Sequence, residues 1–212
     1  VHSGTTTMLD YMYPHPRLNL SDQIIKAYKD FKVRGILGRG MMNTGEQFGT
    51  PPEIMQDVDQ IEQDIGRLMD KYHGQDNIKV WVAPAALWSN SEKLLKRLWE
   101  LTNQYNTGFT VHISETPFDR EATQKLHGLP DAELLDEYGI VGPNVLMVHC
   151  VHLNNRDIRM AKYYDMKVSH NPASNMYLAS GVAPIPRMVE SGIDVGLATD
   201  GAASNNSQDM IE

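Results

Sequence analysis

Cysteine is nearly absent. The single Cys150 rules out an intrachain disulfide and fits a reducing compartment, so a cytoplasmic location is expected. No apolar run approaches the ~20 residues needed to cross a bilayer, so no membrane partner is expected. Positive charge is in deficit: 19 Lys and Arg stand against 27 Asp and Glu, a formal net charge of −8. Nucleic-acid binding needs clustered Lys and Arg, so a polyanion is excluded as the main partner. Glycine (16) and proline (11) are too few for collagen-like or low-complexity structure. The opening Val1-His2-Ser3-Gly4 lacks the basic and then apolar regions of a signal peptide, and no secretory leader is expected. No linker or charge block divides the chain, which therefore reads as one domain over residues 1–212. A chain of that length can hide ~70% of its unfolded surface and hold a real core.

What is present is an alternation. Short apolar runs occur at Thr5–Leu9, Val33–Leu37, Ile78–Val82, Phe109–Ile113, Val145–Val148, Met166–Ser169 and Ile193–Leu197. They are apolar on both faces, as parallel strands covered on both sides must be. Between them lie helical stripes: Ile24, Ile25, Tyr28 and Phe31; Ile54, Val58, Ile61, Ile65, Leu68 and Met69; Leu94, Leu95, Leu98, Leu101 and Tyr105. Ser21, Ser91 and Asn154 are the expected helix caps. Repeated strand–helix units predict an α/β fold, and their number points to a TIM-like (β/α)8 barrel, which typically needs ~250 residues. Seven strands are counted, one short of eight.

In βα barrels the chemistry sits where strands end. Four of these strands end in metal-binding or proton-carrying groups: His112 with Ser114 and Glu115, His149, His170, and Asp200. Four such ends in register argue for a polar functional site. Taken singly, each has a plainer reading. His112 could be a satisfied core histidine, and Asp200-Gly201 could be ordinary turn chemistry. His152 reads as a residue leading into a helix, and Cys150 as a small buried apolar group. In an extended strand His112 and Glu115 would lie ~10 Å apart, so they can serve one bound water only if the strand ends between them. Neutral imidazoles with a carboxylate suit Zn²⁺, with Fe²⁺ as the alternative. A zinc site with an open position lowers the pKa of water to about 7, and a neighbouring Glu can move the proton, so the pattern describes metal-assisted hydrolysis. The other zinc deaminase pattern, H-x-E with P-C-x-x-C, is excluded by the single cysteine.

Five blocks then carry a resemblance: Ser3-Gly4-Thr5-Thr6-Thr7, His112-Ile113-Ser114-Glu115-Thr116, His149-Cys150-Val151-His152-Leu153, Ser169-His170-Asn171-Pro172-Ala173-Ser174-Asn175-Met176, and Thr199-Asp200-Gly201-Ala202-Ala203-Ser204-Asn205-Asn206. With Leu178 to Pro184 between the last two, they resemble the amidohydrolase superfamily. The branch is that of methylthioadenosine/S-adenosylhomocysteine deaminases, guanine deaminases and triazine chlorohydrolases. The resemblance implies one divalent metal held by His112, Asp200 and, in some members, His149. It implies Glu115 as proton shuttle, with His149 orienting the attacking water and Asp200 taking its proton. It gives Arg39 a substrate-binding role, against the alternative of a surface residue closing a strand. It sets His170 and Asn175 in a loop lining the pocket, with loop stabilisation equally open for Asn175. The implied partner is a small heterocyclic substrate; relatives are often homo-oligomers, which the sequence does not decide.

Two departures qualify the resemblance. The family's first strand carries H-x-H, supplying two metal ligands, and no H-x-H occurs in the 212 residues. The expectation is therefore strands two to eight of a barrel, with the first strand and a flanking β-sandwich domain lying outside this segment, and a segment incompetent alone. Second, Ala85 follows Pro84 where methylthioadenosine deaminases carry a substrate-gripping histidine, which favours a heterocycle other than a nucleoside. The expected activity is hydrolytic deamination of a purine, pterin or triazine-type heterocycle. Expulsion of chloride or an alkylamine from a triazine is the alternative, and a non-catalytic barrel paralogue or incomplete chain the alternative of another class.

Overall fold

A computed structural model describes residues 3–211. These form two compact units, Thr5–Thr110 and a second comprising residues 111–211 with residues 3–4.

The first unit runs β1 (Thr7–Met12), α1 (Leu20–Phe31), β2 (Arg34–Met41), two short 3-10 turns (Glu46–Phe48, Pro52–Ile54), α2 (Val58–Tyr72), β3 (Ile78–Pro84), a third 3-10 turn (Leu87–Ser89), α3 (Glu92–Gln104) and the start of β4 (Phe109–Ile113). β1, β2 and β3 are parallel neighbours, with Leu9 opposite Ile36 and Leu37 opposite Val80, and Val82 pairs with Phe109. β2 runs four residues beyond the apolar stretch expected from sequence, through Gly38-Arg39-Gly40-Met41. Its glycines permit close approach: a Cβ on Gly40 would lie 2.2 Å from Tyr13 Cα, and one on Gly35 2.2 Å from the Tyr28 ring.

The helices bury the predicted stripes in part. Ile61, Ile65, Leu68 and Met69 of α2 and Leu94, Leu95, Leu98 and Leu101 of α3 are buried. Each such side chain contributes ~1.5–3 kcal/mol relative to exposure. α1 buries Ile25 and Tyr28, whereas Phe31 is exposed, so its stripe is one residue shorter than its spacing suggests. Ser91 caps α3, accepting from the Leu94 N–H, and Asn154 caps the later helix α6 (Asn155–Tyr163) through the Arg156 and Asp157 N–H groups. Ser21 does not cap α1. It lies inside the helix, its hydroxyl 2.8 Å from His15 Nε2.

Arg39 requires a correction. The expectation was either a substrate-binding group or a surface residue; instead its side chain is 0% exposed and paired with Asp64 of α2 at 2.9 Å. Nε donates to Asp64 Oδ2 (3.0 Å), and Nη1 donates to the Gly40 carbonyl (2.7 Å) and Gln56 Oε1 (2.8 Å). Asp64 also accepts from Arg67, which holds Asp22 in turn. A guanidinium enclosed on every side by its own unit is a core element, because a charge removed from water must be paired where it sits.

The second unit continues with the end of β4, then α4 (Pro117–His127), α5 (Asp131–Glu137), β5 (Val145–His149), α6, β6 (Lys167–His170), α7 (Pro172–Tyr177), α8 (Ile185–Glu190) and β7 (Val195–Leu197). β5, β6 and β7 are parallel, with Met147 opposite Val168 and His170 opposite Leu197. Val111, Ile113, Leu135, Val145, Met147, Ile158, Val168 and Met188 are buried here. All seven strands foreseen from sequence are found, within a few residues of their expected ends. Among the described residues no helix is long and apolar enough to cross a membrane.

Two measurements test these interior polar groups. Asp64→Ala strands a buried guanidinium and is expected to cost about 3–5 kcal/mol in urea unfolding, whereas the double change Arg39→Met with Asp64→Leu should cost far less. His15 is held neutral, burial and then the Arg39 charge lowering its pKa from 6.5 to about 4. The unfolded chain binds the extra proton between those values, so stability should fall as pH drops from 6.5 towards 4. His15→Asn should flatten that part of the profile in urea midpoints taken at pH 7, 5.5 and 4.

Candidate active site

The candidate site is built from strand ends of the second unit. β4 stops at Ile113, between His112 and Glu115, as a shared site requires. The stop is made by Ser114, whose φ of 47° is left-handed. A non-glycine residue seldom adopts that conformation unless its surroundings hold it. Here Asp131 does so: Ser114 donates from its N–H (2.5 Å) and its hydroxyl (2.7 Å) to that buried carboxylate. Burial pushes the Asp131 carboxyl up, and the Ser114 bonds and the Arg120 charge oppose it. Beyond the bend, Thr116 and Asp119 close a capping box on α4, with the Thr116 N–H donating to Asp119 Oδ2 at 2.8 Å.

β5 ends in the same way. His149 (φ 71°) and Cys150 (φ 54°) are both left-handed. The Cys150 N–H donates to the Ile113 carbonyl and the His152 N–H to the Ser114 carbonyl, at 3.0 and 2.8 Å. The two strand ends are thereby tied together. The His112 and His149 rings stack, with centroids 5.4 Å apart and planes 26° from parallel. Cys150 is fully buried and its thiol is pushed well up by that burial, in keeping with an inert apolar role.

His149 is the hub of the arrangement. Its Nδ1–H donates to Asn175 Oδ1 at 2.8 Å, which turns Nε2 towards two acids. Nε2 lies 3.7 Å from Glu115 Oε2 and 3.8 Å from Asp200 Oδ2. These spans exceed a direct hydrogen bond and suit a bridging water. Asp200 is also left-handed, at φ 64°. Ser174 donates to its Oδ2 (2.6 Å) and the Gly201 N–H to its Oδ1 (2.7 Å). Burial pushes the Asp200 carboxyl up, but those two donors and the His149 and His112 imidazoles outweigh it, so the group stays ionised below its ordinary range. Glu115 Oε1 accepts from the Ser180 hydroxyl at 3.1 Å. His170 is half-buried with Nδ1 unpartnered, and burial and then His149 hold its pKa down.

Six of the residues singled out from sequence thus fall in one unit, five of them in a continuous set of contacts: His112, Glu115, His149, Asn175 and Asp200. Arg39 lies in the other unit, in its core. The donor chemistry, imidazole with carboxylate, fits a zinc-type ion. The count falls short: among the described residues no three His, Cys, Asp or Glu groups stand in ligating position. Asp131 and Ser174, and the part Ser114 plays in ending β4, are not legible in the sequence. Ser174 and Ser114 lie within recognisable blocks, but the direction of a hydroxyl depends on backbone and rotamer, which residue spacing does not encode. Asp131 lies 17 residues from the bend it holds and carries no local signal.

The Amidohydrolase family profile matches residues 1–212. A 5'-deoxyadenosine deaminase of Methanobrevibacter smithii is 37% identical over 215 residues, covering 100% of this chain and 46% of the relative. A 5-methylthioadenosine/S-adenosylhomocysteine deaminase of Syntrophomonas wolfei is 36% identical, with 100% and 46% covered. The chain spans about half the length of the curated relatives it matches. Among solved structures, the atrazine chlorohydrolase of Arthrobacter aurescens TC1 complexed with zinc superposes with a TM-score of 0.89 at 23% identity, covering 98% of this chain and 47% of that one. That likeness is one of fold.

The Asn175 contact is open to direct measurement. Asn175→Leu removes the acceptor for Nδ1–H, and ¹⁵N NMR of His149 should then show mixed tautomers in place of a single Nδ1-protonated form.

Proposed function

Since the chain belongs to the amidohydrolase family, we propose that it forms the catalytic part of a hydrolase that removes an amino group from an aromatic N-heterocycle as ammonia. The observation that carries this reading is His149 Nε2 standing 3.7 Å from one carboxylate and 3.8 Å from another. Hydrolytic deamination needs two proton transfers on opposite sides of one water, and this geometry supplies a carboxylate for each. His149 Nε2 holds the water. Asp200, kept ionised, takes its proton as the oxygen adds to the amino-bearing ring carbon. Glu115, protonated at the outset, gives its proton to the ring nitrogen. It regains one from the hydroxyl of the tetrahedral adduct as the carbonyl forms, and passes that one to the departing amine. The carbon–nitrogen bond breaks, and a carbonyl and ammonia result. The proton held on Asp200 then returns to Glu115. His170, at the end of β6, is assigned to binding the heterocycle, and Asn175 acts through His149.

By chemistry of the donors, His112, His149 and Asp200 would be this chain's share of the ligands to one divalent metal, zinc before iron, the described residues alone not forming a ligating set of three. When bound, such an ion lowers the pKa of water to about 7. The zinc in the atrazine chlorohydrolase structure supports the assignment at the level of the family's fold. Residues 1–212 then represent strands two to eight of one barrel domain, completed by H-x-H ligands that the 212 residues do not contain. The single cysteine supports a cytoplasmic setting.

A purine is placed first among substrates, because the relatives at 36–37% identity are named as deaminases of adenosine derivatives. Ala85 pulls the other way: it is a buried residue whose N–H is spent on the Met41 carbonyl, and it offers a sugar no side-chain donor. A panel of aminopurines, adenosine nucleosides, pterins and chloro- and aminotriazines separates these substrates. Turnover of a triazine alone would favour the chlorohydrolase-type reading, and no turnover at all a non-catalytic barrel. With the substrate found, Glu115→Gln in the full-length protein should lower kcat by about 10²–10⁴-fold while metal content by elemental analysis matches the parent. Parental rates in that variant would remove Glu115 from the mechanism.

A further inference from the structure

Two residues of the second unit remain outside this chemistry yet are joined to it. Ser180 is 5% exposed, and its hydroxyl donates to Glu115 Oε1 at 3.1 Å. Its backbone is fixed on both sides. The Ser180 N–H donates to the Asn175 carbonyl at 2.9 Å, and the Ser180 carbonyl accepts from His152 Nε2 at 2.8 Å. The flanking residues allow little else. Ala179 is left-handed at φ 56°, and Gly181 has a φ of 126°. A Cβ on Gly181 would lie 3.0 Å from Val151 Cγ1 and 3.6 Å from His152 Nε2. The turn that offers the Ser180 hydroxyl is therefore seated against Val151 and His152.

The consequence falls on Glu115. The terminal torsion of a glutamate is broad, so a free carboxylate presents either oxygen over a wide range of angles. With Oε1 bound to Ser180, the other oxygen, Oε2, is the one turned towards His149 Nε2, 3.7 Å away. We propose that Ser180 is a positioning residue for Glu115. It anchors Oε1 so that Oε2 carries the proton, and His152 acts one step further out by holding the Ser180 carbonyl. The role rests on Glu115 being the proton carrier of the proposed reaction. It also gives a place to His152, which sequence sets at the approach to a helix.

Proton transfer tolerates little displacement, and a shift of ~1 Å can cost 10²-fold in rate. In the metal-loaded full-length protein, Ser180→Ala should lower kcat by about 10–100-fold, with KM within twofold of the parent and an unchanged melting temperature. Ser180→Thr, which keeps the hydroxyl, should restore most of the rate, and His152→Leu should give a smaller loss of the same kind. The second readout does not depend on turnover. In crystal structures of parent and Ser180→Ala, the Glu115 carboxylate should hold one position in the parent and rotate or split in the variant. A Ser180→Ala protein with parental kcat, or with Glu115 unmoved, overturns the inference. Absence of turnover in the parent overturns the proposed activity instead, while the paired crystal structures still decide whether Ser180 holds Glu115.

Discussion

A strand that ran straight past Ile113 would carry Glu115 away from His112 by ~3.3 Å per residue, and no shared chemistry would follow. The left-handed turn at Ser114 prevents this, and it exists because Asp131 takes both donors of that serine. The same device recurs at His149, Cys150 and Asp200, each left-handed just where its strand ends or the following loop begins. Such residues typically cost 1–3 kcal/mol each, and a cost repeated at several polar strand ends persists only where the rest of the fold supports it. Hydrogen bonds from the β5 exit to the Ile113 and Ser114 carbonyls provide part of that support.

The two units treat charge in opposite ways. In the first, Arg39 and Asp64 are enclosed together, with Gln56 and Gly40 accepting from Arg39 and Arg67 donating to Asp64. In the second, His149 Nε2 faces two carboxylate oxygens at 3.7 and 3.8 Å, beyond direct hydrogen-bond distance of either. A core resolves its charges internally, whereas an active site leaves one set to be resolved by what it binds.

The strand pattern was legible because its signal is local. Apolar runs such as Val145–Val148 and Phe109–Ile113 can be buried in only a few ways, and each appears as a strand close to its expected limits. The capping serine and asparagine at Ser91 and Asn154 were legible for the same reason. Ser21 was misread because its hydroxyl meets His15, six residues earlier, through a bend that propensity does not describe. The surface reading of Arg39 fails because an arginine between two glycines looks exposed, and only the partner Asp64, on another element, shows that it is enclosed.

The sequence by itself determined the alternation of strands and helices, the polar residues at the strand ends, and the family to which they belong, since these depend on residue type and near-neighbour order. Tertiary structure decided what each polar atom faces. It turned Asn175 towards His149 and not outward, closed Arg39 into the core, set Ser174 on Asp200, and aimed Ser180 at Glu115. Hydrogen-bond direction is lost within a few tenths of an ångström and a few tens of degrees. That precision comes from packing between segments far apart in the chain.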